Sequence, residues 1–119
     1  MQETSWPWPD EMDALTAAAQ HHRLLFENEH VRVLEVRIGP GQFVPVHTHR
    51  WPSVVRTVSS GDFVRRDGDG NVTFDSRQTT SQSAVPEAQW LAPLPPHSVE
   101  NVGSSEIWLF SVELKEPAR

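Results

Sequence analysis

Hydrophobic and polar residues alternate along most of this chain from about residue 24 onward. In the stretch HVRVLEVRI (30–38), Arg32 shares one face with Leu34, Val36 and Ile38, and the intervening residues share the other. A period of two residues indicates a β-strand, because successive side chains point to opposite faces. Similar short segments follow at QFVPVHTH (42–49), SVVRTV (53–58), FVRR (63–66), VTFD (72–75), QWLAPL (89–94), HSVENV (97–102) and EIWLFSVEL (106–114). Many short strands separated by turns predict an all-β sandwich or barrel.

The N-terminal part of the chain has a different pattern. Met12, Leu15 and Ala19 have helical spacing after Asp10, a good N-cap residue, so the sequence predicts one short helix over about 10–20. The predicted organisation is an N-terminal arm and short helix at 1–23, followed by a single β domain at 24–119. The adjacent pair His21 and His22 falls at the end of the helix, and we do not expect it to bind metal, because adjacent side chains point apart.

Composition excludes several classes of function. The 119 residues contain no cysteine, which excludes disulfides, thiolate metal sites and a cysteine nucleophile. The net charge is −6 and Lys115 is the one lysine, so neither nucleic acid nor an anionic membrane surface is expected as a partner. The start of the chain lacks the pattern of a signal peptide, and no apolar run approaches the ~20 residues that cross a bilayer. We therefore expect a cytoplasmic protein.

Two histidines stand one residue apart on a predicted strand that follows a Gly-Pro-Gly turn. Alternation puts His47 and His49 on one face, together with Phe43 and Pro45. Two imidazoles spaced by about 6.6 Å along a strand can close on one metal ion. A third ligand must come from another strand, and His97 is the better candidate, with His30 as a weaker alternative.

The spacing around these histidines resembles the two sequence motifs of the cupin superfamily. The first motif, G-x5-H-x-H-x4-E-x6-G, is matched by Gly41, His47, His49, Val54 and Gly61. The end of the second is matched by His97 and Asn101, with Pro93 upstream. Over about residues 30–115 the chain is similar to small single-domain cupins. The resemblance implies a cupin jelly-roll barrel and a homodimer that pairs through strands at the sheet edges.

The resemblance also implies a particular metal site. The ligands would be His47, His49 and His97, without a carboxylate, because Val54 replaces the usual motif glutamate. Such a set is similar to that of three-histidine cupins that use iron to activate dioxygen on a chelating substrate. Fe(II) is therefore the favoured ion, with Zn, Mn or Ni as alternatives. The expected function is a dioxygenase-like reaction on a small metabolite, and the alternative is a non-catalytic small-molecule binding module, with or without metal.

One arginine is a candidate for binding the small-molecule ligand. In cupins the position of Val54 faces the interior, so alternation would turn Arg56 and Val58 inward as well. An inward Arg56 could bind a substrate carboxylate with two hydrogen bonds. In the alternative interpretation, Arg56 reaches out of the barrel mouth or pairs with Glu35 or Glu100.

Overall fold

The computed structural model describes residues 6–78 and 86–115. Within these residues the chain forms nine strands: β1 (His22–Glu27), β2 (Val31–Ile38), β3 (Phe43–His47), β4 (Ser53–Ser59), β5 (Phe63–Asp67), β6 (Val72–Asp75), β7 (Ala88–Leu91), β8 (His97–Asn101) and β9 (Ile107–Leu114). A four-residue helix, α1 (Ala14–Ala17), precedes them after a short 3₁₀ turn at Asp10–Met12. The predicted all-β architecture with a short N-terminal helix is confirmed. The described residues include no helix with the length and apolar character of a membrane span.

The strands form two antiparallel sheets that pack against each other. The larger sheet has the order β1-β2-β9-β4-β7, and the smaller has the order β3-β8-β5-β6. The period-two pattern of β2 places Leu34, Val36 and Ile38 in the core, where each is at most 7% exposed. Val44 from β3 packs against the same cluster from the opposite sheet. The core therefore includes side chains from both sheets, and several of them also line the cavity between the sheets.

Two glycines of the first motif occupy positions where a side chain would not fit or would strain the backbone. Gly41 has a φ of 79°, in the left-handed region that residues with a Cβ rarely adopt. Gly61 lies against the loop before β9, and a Cβ there would come within 2.7 Å of the Ser105 carbonyl oxygen. Gly41 thus forms the turn that leads into the histidine-bearing strand β3, and Gly61 allows close packing between two loops.

The N-terminal helix is shorter than the predicted span of 10–20. Asp13 has an extended backbone and its side chain caps α1 by accepting a hydrogen bond from Leu15 N, so the helix begins only at Ala14. A parallel bridge pins Asp13 to Thr48, with Thr48 N donating to the Met12 carbonyl. This tertiary contact outweighs helix propensity, which is a weak local preference.

Strand β1 lies across the boundary that the sequence predicts at residues 23 and 24. It begins at His22, which stands opposite Val36 of β2, and it forms one edge of the larger sheet. The stretch HRLLFE lacks strict alternation, and the pairing register shifts between Leu24 and Phe26. The last residues before the predicted β domain are thus part of its sheet.

A bulge changes which side chains of β3 face the interior. Val44 pairs with Val99 and His47 with His97, and the register shifts between Val44 and His47. An extra residue in one strand reverses the alternation beyond it. The predicted shared face of Phe43, Pro45 and His47 is therefore wrong: His47 points inward with Val44, whereas Phe43 is 51% exposed.

Candidate metal centre

A cavity of about 190 Å³ opens between the two sheets. Four histidines line it, namely His22, His47, His49 and His97. Most of the remaining lining is aliphatic and includes Val36, Ile38, Val44, Val55, Leu91 and Leu109. A concave apolar site with a few convergent polar groups is typical of small-molecule binding. This volume is smaller than that of most drug-sized sites, which suits a small metabolite.

Three of these histidines converge closely enough to share one ion. One ring nitrogen from each of His22, His47 and His49 lies within 4.8 Å of the others. The ring centroids are 5.0 Å apart for His22 and His47, 5.3 Å for His22 and His49, and 5.2 Å for His47 and His49. His22 lies in β1, His47 lies at the bulged end of β3, and His49 lies just after β3. Among the described residues, no other group of three potential ligands meets this distance.

His97 lies beside this group without joining it. Its ring centroid is 4.6 Å from that of His47, its direct partner in the pairing of β3 with β8. The structure thus brings together all three residues of the predicted set, His47, His49 and His97, around one cavity. It adds His22, which the sequence placed at a helix end. Adjacent side chains do point apart, as expected, but in a strand this sends His22 into the cavity and leaves His21 outside it.

In all four imidazole rings the hydrogen bond is made by Nδ1, which leaves Nε2 available. Nδ1 of His22 donates to the Ala18 carbonyl at 3.0 Å, Nδ1 of His47 to the Pro45 carbonyl at 2.8 Å, and Nδ1 of His97 to the Pro95 carbonyl at 2.8 Å. Nδ1 of His49 donates to Glu113 Oε2 at 2.6 Å. A carbonyl or carboxylate oxygen can only accept, so Nδ1 carries the proton in each neutral ring. The lone pair is then on Nε2, the arrangement typical of metal-binding histidines.

Burial keeps three of the rings neutral. It lowers the pKa of His47 to about 2, with the charges of the other histidines acting in the same direction. It also lowers the pKa values of His22 and His97 to about 4 each, despite their hydrogen bonds to carbonyl groups. Charged imidazoles so close together would repel one another in a poorly solvated space. Neutral imidazoles are the form that binds metal.

A buried carboxylate holds His49 in place. Glu113, on the inner face of β9, is fully buried, and its other oxygen accepts a hydrogen bond from Arg32 Nε at 2.7 Å. Arg32 in turn donates twice to Asp13, at 2.9 Å in each case. Burial by itself would raise the pKa of Asp13, but Arg32 outweighs it and holds that pKa below its usual value. Since two carboxylates face one guanidinium, the network carries a net negative charge beside the histidines.

The structure corrects the expected orientation of β4. Ser53 and Val55 face the cavity, whereas Val54 is 38% exposed on the outer face. The side chain of Arg56 is 61% exposed and lies 3.9 Å from Glu87 at the surface. The predicted inward orientation of Val54, Arg56 and Val58 is therefore wrong, because the strand is rotated by one residue relative to the expectation. The reason for assigning a substrate carboxylate to Arg56 disappears with it.

Three residues of the site were not predicted from the sequence, for different reasons. Glu113 could have been found, because alternation from Ile107 carries it to the inner face of β9. Arg65 lines the cavity from β5, but neither motif includes it and the sequence gives no reason to prefer it to the adjacent Arg66. His22 had no clear signal, since β1 does not alternate and no motif includes it.

Comparisons with known proteins identify the fold. A scan against protein-family models found no match, and a search of curated proteins found none either. Among solved structures, the chain is similar to a cupin domain from Bordetella pertussis Tohama I, with a TM-score of 0.61 and 24% identity over 80% of this chain and 92% of that one.

Two further solved structures agree. A protein with a double-stranded β-helix domain from Klebsiella pneumoniae has a TM-score of 0.54 and 20% identity, over 78% of this chain and 74% of that one. An RmlC-like cupin family protein from Methanocaldococcus jannaschii has a TM-score of 0.51 and 14% identity, over 96% and 92%. The chain therefore adopts the cupin fold, the double-stranded β-helix, as the two motifs predicted.

Proposed function

We propose that this chain binds a divalent metal ion, Fe(II) by preference, through His22, His47 and His49, and uses it for the O₂-dependent oxidation of a small metabolite. The observation that carries the proposal is the set of converging imidazoles whose Nδ1 atoms are all occupied by acceptors. Imidazole suits Fe, Zn, Cu and Ni, so the donor set fits the proposed ion. The preference for Fe(II) rests on the resemblance to three-histidine cupins.

The residues of the chain have separate tasks in this proposal. The three histidines are neutral donors, so they would leave the charge of the ion uncompensated and positions open for a substrate. Glu113 fixes the ring of His49, and the aliphatic lining keeps water away from the substrate. His97 has a free Nε2 beside His47 and is available either as a further donor or as an acceptor for a substrate proton. When bound, Fe(II) would supply a Lewis acid and a redox centre for O₂.

Elemental analysis tests the first half of the proposal. The protein is produced without a histidine tag, and its bound metal is measured before and after anaerobic loading with Fe(II). We expect close to one ion per chain, and loss of the ion in the double variant His47→Ala, His49→Ala. A folded wild-type protein that takes up no divalent ion under these conditions would rule out the metal site.

Oxygen consumption separates an enzyme from a binding module. The Fe(II)-loaded protein is mixed with a panel of small carboxylic acids and diketones, and O₂ uptake is followed with an electrode. We expect uptake that depends on both substrate and iron. Ligand binding without O₂ uptake across the panel would instead support a non-catalytic binding protein. If the protein bound Zn, Mn or Ni tightly and did not retain Fe(II), that metal would replace Fe(II) as the assigned ion.

A further inference from the structure

Arg65 differs from the other arginines that the structure describes, because no described carboxylate pairs with it. Among the described residues, seven other arginines have a carboxylate oxygen within 4.0 Å: Arg23, Arg32, Arg37, Arg50, Arg56, Arg66 and Arg77. Arg65 has none, and its Nε is buried without a hydrogen-bond partner. A buried donor or charge without a partner is costly, which makes such a group a candidate for ligand binding.

The position of Arg65 gives it access to the same cavity as the histidines. It stands opposite Val99 in the pairing of β5 with β8, and both residues line the cavity together with His97. The neighbouring Arg66 points the other way and pairs with Glu100 at 3.1 Å. The guanidinium carbon of Arg65 lies 5.7 Å from the ring centroids of both Phe63 and Phe74. These two rings fix the side chain without satisfying its hydrogen bonds.

The charges around the cavity favour a singly charged anion. Burial lowers the pKa of Arg65, although a guanidinium remains protonated in proteins. A bound divalent ion would add two positive charges, of which the network of Glu113, Arg32 and Asp13 offsets only one. A planar carboxylate matches the fork of one guanidinium. A phosphate would bring roughly twice the charge to a cavity whose remaining lining is largely aliphatic.

We propose that Arg65 binds the carboxylate of the metabolite, whose apolar remainder fills the aliphatic part of the cavity beside the histidines. The inference rests on the proposed function, because it names the class of substrate for that site. It assigns the ligand to the small aliphatic carboxylic acids. Carboxylate binding, which the sequence predicted for Arg56, is thereby assigned to Arg65.

Calorimetric titration with a matched pair of probes tests the proposal. The probes are 3-methylbutanoate and 3-methylbutanamide, which have the same shape and differ in charge. We expect the Zn(II)-loaded wild-type protein to bind the acid at least tenfold more tightly than the amide. Arg65→Met should bring this ratio close to one, Arg65→Lys should retain part of it, and both variants should keep their metal. Arg56→Leu, at an exposed position, is the control and should keep the full preference.

The possible outcomes separate the two proposals. Equal affinity for acid and amide in wild-type protein, or an undiminished preference in Arg65→Met, would overturn the role of Arg65 while leaving the metal site intact. Tighter binding of inorganic phosphate than of 3-methylbutanoate would overturn the assignment to carboxylic acids. Failure to bind any metal, with the acid preference preserved, would remove the proposed function and leave Arg65 as an anion-binding residue.

Discussion

At the scale of single residues, Glu113 is the group on which the metal centre most depends beyond its ligands. It is fully buried and bridges His49 to Arg32. A carboxylate that accepts from Nδ1 fixes the orientation of the ring and raises the basicity of Nε2. Because Val54 points outward, the negative charge near the proposed ion would come from Glu113 on β9 and not from the motif position of β4.

Replacing Glu113 by glutamine should therefore weaken metal binding. We expect Glu113→Gln to lower Zn(II) affinity by about 10–100-fold, in line with other partners of metal-binding histidines. It should also cost about 3–5 kcal/mol of stability, since Arg32 loses its one fully buried anionic partner and keeps only the partly buried Asp13. Competition with a chromophoric chelator gives the affinity, and denaturant unfolding gives the free energy.

A matched control lies on the opposite face of the same sheet. Glu35 is also buried and accepts hydrogen bonds from Arg23, Arg37 and Trp108, but it is outside the cavity. Glu35→Gln should lose stability and keep the metal affinity of the wild type. If the two variants lost affinity to the same extent, Glu113 would be a structural residue with no specific effect on the site.

At the scale of secondary-structure elements, β1 contributes the proposed ligand His22 from the edge of the larger sheet. Among the described strands it pairs with β2 alone, and its first residue reaches the cavity. His21 and His22 are neighbours in sequence and point to opposite sides, which provides an internal control. We expect His22→Ala to lower Zn(II) affinity at least tenfold, because one of three converging nitrogens is lost, and His21→Ala to leave it unchanged.

The same titration on His97→Ala examines the ligand set expected from the motifs. A loss larger than that of His22→Ala would mean that the ion sits between His47, His49 and His97, as the sequence predicted. A smaller loss would support the set that the geometry brings within 4.8 Å. Circular dichroism of each variant shows whether the fold is retained.

How well the sequence predicted each element depended on whether its signal was local. Strands β2 and β9 were predicted closely, because one buried face imposes a period of two that needs no knowledge of the partner strand. The bulge in β3 and the rotation of β4 were not predictable, since register depends on the neighbouring strand. The predicted helix was too long because Asp13 is held by Thr48 and Arg32, and no local pattern in the sequence reveals these contacts.

The residues of the site likewise divide into those with a local sequence signal and those without one. His47 and His49 were found because their spacing along one strand is itself the signal, and His97 because a second motif marks it. His22, Glu113 and Arg65 come from three other strands, and only the folded sheets bring them to the cavity. Arg56 was predicted to face the cavity because the motif position of Val54 fixed the inner face of β4, which the structure rotates by one residue.

At the scale of the whole molecule, the buried histidines should make the metal-free protein sensitive to acid. The pKa values of His22 and His97 are lowered to about 4 in the folded chain, whereas an unfolded histidine titrates near 6.5. Below pH 6.5 the unfolded chain thus binds protons that the folded chain excludes. Stability must then fall as the pH falls, by at most about 1.4 kcal/mol per pH unit for each such histidine.

Denaturant unfolding of the metal-free protein between pH 7 and pH 5 measures this slope. We expect the free energy of unfolding to decrease throughout the interval, and the decrease to be smaller in His97→Gln, which removes one excluded proton. His30→Gln, at an exposed position, should behave like the wild type. A free energy independent of pH over this range would show that the rings are not held neutral by burial.

The outer face of the larger sheet provides the last prediction, which concerns assembly. Phe26, Val58 and Trp90 on this face are 53%, 46% and 59% exposed, and Val54 lies between them. Contiguous exposed apolar side chains on a sheet face indicate a protein interface. Three arginines on the same face already have acidic partners: Arg23 and Arg37 pair with Glu35, and Arg56 lies 3.9 Å from Glu87. We propose that a second copy of the chain covers this face.

Sedimentation velocity distinguishes this assembly from the alternatives. We expect the wild type to sediment as a dimer and Trp90→Lys to sediment with the 13.5 kDa mass of one chain, because a charge would replace an apolar side chain within the contact. Phe43→Lys is the matched control, since Phe43 is 51% exposed on the other sheet and should leave the dimer intact. A dimer lost in Phe43→Lys and kept in Trp90→Lys would move the interface to the edge strand β3. That result would favour pairing through a sheet edge, the mode expected from the sequence.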